Sequence, residues 1–450
     1  MNNLKDLILK YETPGPRYTS YPTAPHFSEA ADARALAQDA VLKDAPRSLY
    51  VHIPFCKTAC LFCGCSTSVC TDLKKADEYL SLVELELELW KDFGLKKCPL
   101  EQIHFGGGTP NFLIPEQILR LGQIIKKHFD ISKTCEFSAE LDPRTLTQEK
   151  VEAFAKIGVN RASIGVQDTN LEVQKAISRI QPQEMNLRVF EWLRASGIEK
   201  INIDLMYGLP LQTRENFRST IENAVSLRPD RIALFNYAHV PWMKAAQKAL
   251  EKYPRPQGAE KVELFEDAMA AFEAAGFEYI GLDHFALPHD ELIKARENGT
   301  LQRNFQGYST RKGLDGFGVG LTSISQTENS YRQNSKLMPE YEKSVKSGVL
   351  PIARGVFLTP EDHICRAAIM EIMCMLRLNF AEFENKFPVR IKDEFPAAIP
   401  ALKEMESDGL LKLTNSGLEI TKTGRLFIRN IAMLFDKRLG AEKSIYSKTL

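Results

Sequence analysis

SLYVHIPFCKTACLFCGC occupies residues 48–65. It begins as an alternating run with β-branched and aromatic residues, which reads as a strand. It ends in a loop carrying Cys56, Cys60, Cys63 and Cys65, with Cys70 five residues on. The first three have the spacing C-x3-C-x2-C. Thiolates are soft ligands for zinc or iron–sulfur clusters. Three of them in one loop can hold three irons of a cubane and leave the fourth iron open. Zinc is the alternative, because Cys65 and Cys70 offer a fourth donor, but the usual two separated C-x2-C pairs are absent. The other cysteines, Cys98, Cys135, Cys365 and Cys374, are scattered and read as free buried thiols in a reducing compartment.

Outward from this loop, strands and helices alternate. A helix is expected over 76–93, a strand over 102–107, and a helix over 115–129 that opens with proline. A strand at 135–143 and a helix at 146–158 follow. Further strands are read at 161–167, 200–210 and 231–237, with helices at 184–196 and 214–227 between them. A helix at 258–276 leads into a strand at 278–286. This order predicts an α/β fold of right-handed parallel βαβ units, a complete or partial (β/α)6 barrel, with a doubly wound open sheet as the alternative. Polar residues gather where the strands end: Cys56, the Gly106-Gly107-Gly108-Thr109 run, Glu140 and Asp142, Gln167, Asp204, and Asn236 to His239. In a parallel barrel these ends face one mouth.

The 450 residues carry 58 Lys and Arg against 58 Asp and Glu, a net charge of zero that disfavours a nucleic-acid coat or a polybasic membrane tether. No apolar run reaches membrane-spanning length. The opening MNNLKDLILKYETPGPRYTS lacks a signal-peptide core, so a cytoplasmic location is expected. Three segments are expected: an irregular N-terminal arm over 1–47, a barrel domain over 48–345, and a mainly helical, winged-helix-like domain over 346–450. The last has no strongly basic helix and reads as a lid or packing unit, not a DNA reader.

C-x3-C-x2-C after the first strand of such a barrel resembles the signature of the radical S-adenosylmethionine superfamily. Further motifs narrow the resemblance: GPRYTSYPT (15–23), FCGC (62–65), HFGGGTP (104–110), IGVQD (164–168), IDLMYGLP (203–210), FNYAHVP (235–241), GLDHFA (281–286) and NFQGY (304–308). Together, in order and along nearly the whole chain, they resemble the oxygen-independent coproporphyrinogen III dehydrogenase family. That resemblance implies a [4Fe-4S] cluster, two S-adenosylmethionine sites, and oxidative decarboxylation of two propionates of coproporphyrinogen III to vinyl groups. It implies cluster ligation by Cys56, Cys60 and Cys63. Tyr50 and Phe62 stand beside the cofactors, Gly107, Gly108 and Thr109 form the loop against the methionyl group, and Glu140 faces it. Gln167, Arg179 and Asp204 belong to the second cofactor site, and Ala238 and Ile324 line the cofactor pockets. Cys65 lies near the site without ligating, and Tyr50, Glu140 and Cys65 are the catalytic candidates.

Four propionates call for cations on a partly apolar floor, which Arg17 and Tyr21 of the arm supply, with Gln306 as a further lining residue. His52, His104, His239 and His284 receive no role, and Cys70 reads as a bystander. The expected partners are the porphyrinogen and an electron donor such as flavodoxin or ferredoxin, with no nucleic acid or membrane and a monomeric state. A haem chaperone of the same superfamily is the competing reading. Arg17, Tyr21 and Cys65 argue against it, because such relatives typically lack the GPRYTSYPT arm and the second cysteine of FCGC. A radical enzyme acting on another tetrapyrrole is the third.

Overall fold

The computed structural model describes residues 4–440 and 446–449. The chain divides into two compact units, neither of which is a single stretch. One comprises Phe27–Pro256 and Gly313–Phe357; the other comprises Met1–His26, Gln257–Lys312 and Leu358–Leu450. The expected consecutive segments are therefore corrected. The arm is split at 26/27, and residues 257–312 leave the barrel segment. The arm is also not irregular: it forms helices Leu4–Tyr11 and Ala33–Val41, the second capped by Asp32, whose carboxylate accepts from the N–H of Arg34 and Ala35.

In the first unit, six parallel strands run in sequence order: β1 (Arg47–Ile53), β2 (Pro99–Gly107), β3 (Asp130–Leu141), β4 (Arg161–Gln167), β5 (Lys200–Tyr207) and β6 (Arg231–Asn236). The connecting helices are Lys74–Asp92, Pro115–His128, Gln148–Ile157, Gln183–Ala195 and Arg214–Ser226. Their boundaries follow local chemistry. Thr147 caps Gln148–Ile157, and Gly158 ends it in the left-handed region at φ 111°. Thr213 and Asn216 form a capping box on Arg214–Ser226.

The barrel is partial. β1 is flanked by β2 on one side and by β7 (Asp315–Val319) on the other, so it has no free edge on which β6 could close. Beyond β7 the sheet continues antiparallel through β8 (Ile324–Gln326), β9 (Ser330–Asn334) and β10 (Ile352–Phe357). None of these four strands is expected from the pattern, because their runs are short and either polar or interrupted by glycine.

Side chains alternate across each strand. Leu49, Val51 and Ile53 of β1, Ile103 and Phe105 of β2, and Phe137 and Ala139 of β3 are fully buried. The intervening positions carry Tyr50, His52, His104, Ser138 and Glu140. Register aligns them, with Tyr50 opposite His104, His104 opposite Ser138, Glu140 opposite Ser163, and Gly165 opposite Asp204. Strand period and register thus put the polar residues on one face.

The second unit packs Leu4–Tyr11, Pro360–Met375, Ala398–Ser407 and Ile428–Met433 around one apolar cluster that includes Leu7, Ile369, Met373, Leu402 and Ile431. Thr359 starts the Pro360–Met375 helix with a capping box to Asp362. The wing has three strands, Arg377–Asn379, Gly417–Ile420 and Leu411–Thr414, in that spatial order. The strand expected at 278–286 is instead a hairpin, Glu278–Gly281 with His284–Ala286. Leu282 turns it at φ 47°.

Candidate active site

The cysteine loop leaves β1 and is closed by a two-stranded parallel pair, Phe55–Cys56 with Ser68–Val69. Cys70 N–H donates to Cys56 O at 2.9 Å, so Cys70 pins the loop by its backbone while its own side chain is buried. All nine cysteines are free thiols. Each sulfur of the spaced triplet accepts a hydrogen bond. Thr67 Oγ1 donates to Cys56 Sγ at 3.3 Å, Cys65 N–H to Cys63 Sγ at 3.4 Å, and Arg144 Nη2 to Cys60 Sγ at 3.1 Å. Arg179 Nη1 also reaches Cys60 Sγ, at 3.5 Å. Hydrogen bonding from Cys65 pulls the Cys63 thiol down to about 6, whereas burial pushes Cys56 up to about 11. Among the described residues no three His, Cys, Asp or Glu side chains gather tightly enough for a single metal ion. A cubane asks for something different, one thiolate on each of three irons, and sulfurs already furnished with donors suit it.

Beside the loop, Tyr50, His52, His104 and Glu140 form a connected set. His52 Nε2–H donates to Ser66 O at 2.9 Å, which leaves Nδ1 to accept from Tyr50 OH at 3.0 Å. Burial keeps His52 below its ordinary pKa, in line with a neutral ring. Tyr50 stacks on His104 with centroids 5.9 Å apart. His104 Nε2–H donates to Glu140 Oε1 at 3.0 Å, and Nδ1 shares a hydrogen with Ser138 Oγ at 2.6 Å. Burial alone would raise the Glu140 carboxyl. The His104 hydrogen bond and charge, with a backbone bond from Gly107, outweigh it and leave the group below its ordinary value. Its side chain is still 45 % accessible, so an ionised carboxylate fronts open space.

The glycine run closes the same end. Gly107 takes φ 113°, and a Cβ there would lie 2.8 Å from both His52 Cε1 and Ile53 O. One at Gly108 would lie 2.5 Å from Phe55 O. Only bare backbone fits between the cysteine loop and β2. Thr109 is buried, and its hydroxyl donates to Asn111 Oδ1.

Farther along the face, Asp204 accepts from Asn202 Nδ2 at 2.9 Å. Burial first and the nearby Glu140 charge second lift it to about 7. Arg179 is buried; its Nη2 donates to Gly165 O at 2.6 Å and its Nη1 to Asp142 Oδ2 at 3.3 Å. Arg179 Nε and Asn236 Oδ1 are buried without partners, a mark of polar capacity to spare. Gln167 ends β4 at φ 68°. Phe62 packs on the small cluster of Val173, Ile177, Leu209, Tyr237 and Leu250. Ala238 follows β6, and its carbonyl accepts from Gln247 Nε2 at 3.2 Å. Ile324 opens β8. Cys65 is exposed, and its carbonyl accepts from Lys244 Nζ at 2.9 Å.

The three residues read as substrate contacts lie in the other unit. Arg17 is ion-paired with Asp283, so its charge is already compensated. Tyr21 is buried in the core and presents no open ring, contrary to the apolar floor expected of it. Gln306 sits in the turn of the Gln302–Asn304 and Gly307–Ser309 hairpin. Sequence reading missed the roles of His52, His104, Asp142 and Arg144 in the site. The signals were that His52 lies two residues from Tyr50 on one strand and that Asp142 falls at a strand end. His104 meets Tyr50 through register, which sequence does not give.

Two family models match the chain: the Radical SAM superfamily over residues 50–224 and the HemN C-terminal domain over 358–427. The oxygen-independent coproporphyrinogen III oxidase of Helicobacter pylori is 42 % identical over 447 residues, covering 98 % of each chain. The enzyme of that name from Escherichia coli is 40 % identical over 440 residues, 96 % of this chain and 95 % of its own. A solved structure of coproporphyrinogen III oxidase from Escherichia coli, described as a radical SAM enzyme, superposes with a TM-score of 0.92 at 38 % identity, covering 96 % of this chain and 98 % of that one. Sheet, cysteine loop and these matches define a radical SAM protein, with the [4Fe-4S] cluster and S-adenosylmethionine that the superfamily uses. Within it, the chain belongs to the oxygen-independent coproporphyrinogen III oxidase family.

Proposed function

We propose that this chain carries out the anaerobic oxidative decarboxylation of two propionates of coproporphyrinogen III to vinyl groups, giving protoporphyrinogen IX. The observation that carries the reading is the near-full-length likeness to enzymes of that name, joined to three hydrogen-bonded thiols beside the Tyr50–Glu140 face. When bound, the cluster and S-adenosylmethionine would supply radical hydrogen abstraction directed at the carbon β to a propionate carboxylate.

The chain's residues do the rest. Cys56, Cys60 and Cys63 hold the cluster. Gly107, Gly108 and Thr109 offer backbone to the methionyl group, and Glu140, kept ionised by His104, faces the same ligand. Tyr50 and Phe62 shape the wall. Gln167, Arg179 and Asp204 serve a second S-adenosylmethionine, Ala238 and Ile324 line the cofactor pockets, and Arg17 and Gln306 contact substrate. The electron donor is a flavodoxin or ferredoxin. The protein works as a cytoplasmic monomer, without nucleic acid or membrane; among the described residues no helix is long and apolar enough to cross one.

The test is anaerobic reconstitution with coproporphyrinogen III, S-adenosylmethionine and a low-potential reductant. The expected products are the divinyl porphyrinogen and 5′-deoxyadenosine, and formation of neither overturns the reading. Cofactor cleavage without porphyrinogen turnover would favour another tetrapyrrole as substrate.

A further inference from the structure

Arg144 is held in place before any ligand arrives. β3 ends at Leu141, and a tight turn, Pro143–Thr145, follows. Asp142 caps that turn by accepting Arg144 N–H at 3.0 Å. The same carboxylate also takes the guanidinium, Nε at 3.0 and 3.2 Å and Nη2 at 2.6 Å. One acid therefore fixes both the backbone and the side chain of Arg144. Asp142 is itself clamped, because Asn111 Nδ2 donates to its carbonyl and its N–H donates to Asn111 Oδ1, both at 2.9 Å. Arg144 and Asp142 side chains are only 14 % and 11 % accessible, so water screens the pair weakly.

The same Nη2 also donates to Cys60 Sγ at 3.1 Å, and Nη1 donates to Ser178 O at 3.4 Å. The other two sulfurs of the triplet accept from neutral donors, a threonine hydroxyl and a backbone amide. Cys60 alone of the three accepts hydrogen bonds from guanidinium groups, and the nearer is that of Arg144.

We propose that Arg144 is a positioning residue for Cys60, and that its cationic hydrogen bond raises the reduction potential of the cluster. The proposal rests on the cluster reading above. Reduction adds one electron to the cluster and makes its thiolates more negative. A fixed cation donating to one thiolate stabilises the reduced form more than the oxidised form. The electron comes from the donor protein or chemical reductant, and no proton or bond change at Arg144 is needed.

The test is an EPR-monitored redox titration of the anaerobically reconstituted full chain, without S-adenosylmethionine, comparing wild type with Arg144→Met, Arg144→Gln and Arg144→Lys. In Met and Gln the midpoint is expected to move to more negative potential. At the wild-type midpoint the ratio of reduced to oxidised cluster should fall about tenfold, equivalent to ~59 mV for one electron. Iron content should be unchanged, and Lys, which keeps the charge, should recover part of the shift. An unmoved midpoint in fully loaded Met and Gln variants overturns the proposal. Loss of cluster from both also overturns it, because Arg144 would then serve assembly or folding. A wild-type chain that takes up no iron removes the cluster reading itself, and so is told apart from an unmoved midpoint.

Discussion

Two glutamates, one on each side of the parallel sheet, end in opposite states. Glu140, on the inner face of β3, meets His104 and a backbone N–H and is held below its ordinary pKa. Glu86, in the Lys74–Asp92 helix outside the sheet, is fully buried and accepts from Tyr341 OH at 2.6 Å, Asn334 Nδ2 at 2.7 Å and Gly320 N–H at 2.8 Å. Burial outweighs these neutral donors and lifts Glu86 to about 7. The partner that can carry charge makes the difference. The inner face keeps an anion ready for a cationic ligand, whereas the outer shell uses its carboxyl as a tie between its own helix, the loop after β7, the end of β9 and the helix Met338–Lys346.

The sharpest break in this contrast is expected at the cysteine loop. Cys56→Ala should abolish cluster uptake and 5′-deoxyadenosine formation, yet leave the melting transition close to that of cluster-free wild type, because a bound group adds stability only where it binds. Iron analysis, visible absorption and calorimetry on one preparation check this. A variant that keeps its iron would contradict ligation by Cys56. Next comes Glu140→Gln, which keeps the shape and removes the charge. Turnover should fall on the order of 10²-fold, the size seen when one preorganised electrostatic partner is lost, with the cluster spectrum intact. Wild-type turnover would show that the inner carboxylate is structural, like Glu86.

Much of this contrast is written in the chain. The apolar alternation of β1 and β2 announces buried strands, and the thiol spacing announces the loop. The six parallel strands and their helices can be read because each repeats a short pattern with clear ends, such as Pro115 or Gly158. What stays hidden depends on distance along the chain. β7 to β10 are short and either polar or interrupted by glycine, and only pairing in the sheet makes them strands. His104 reaches Glu140 across 36 positions, and Glu86 reaches Tyr341 across 255. Arg17 illustrates the converse, since local sequence showed a free cation and the fold supplies Asp283.

The smallest expected effect is the pH slope set by Glu86. Its folded pKa, about 7, lies above that of the unfolded chain, so the folded state holds the proton more tightly. The stability this gives is fully present below the ordinary glutamate pKa and is lost as pH rises through about 7. One pKa unit corresponds to about 1.4 kcal/mol, so roughly 3.5 kcal/mol is the upper bound between those limits. Glu86→Gln keeps most of the shape and cannot ionise. It should flatten the loss of stability between weakly acidic and weakly alkaline pH, read as the urea midpoint at several pH values. Glu140→Gln should act with the opposite sign. A depressed folded pKa stabilises above the ordinary glutamate value, and that contribution is lost as pH falls through the folded pKa, so this variant should lose stability mainly at neutral pH. If both substitutions changed the slope in the same direction, the two carboxyls would share one environment, and the division between a charged inner face and a neutral outer shell would fail.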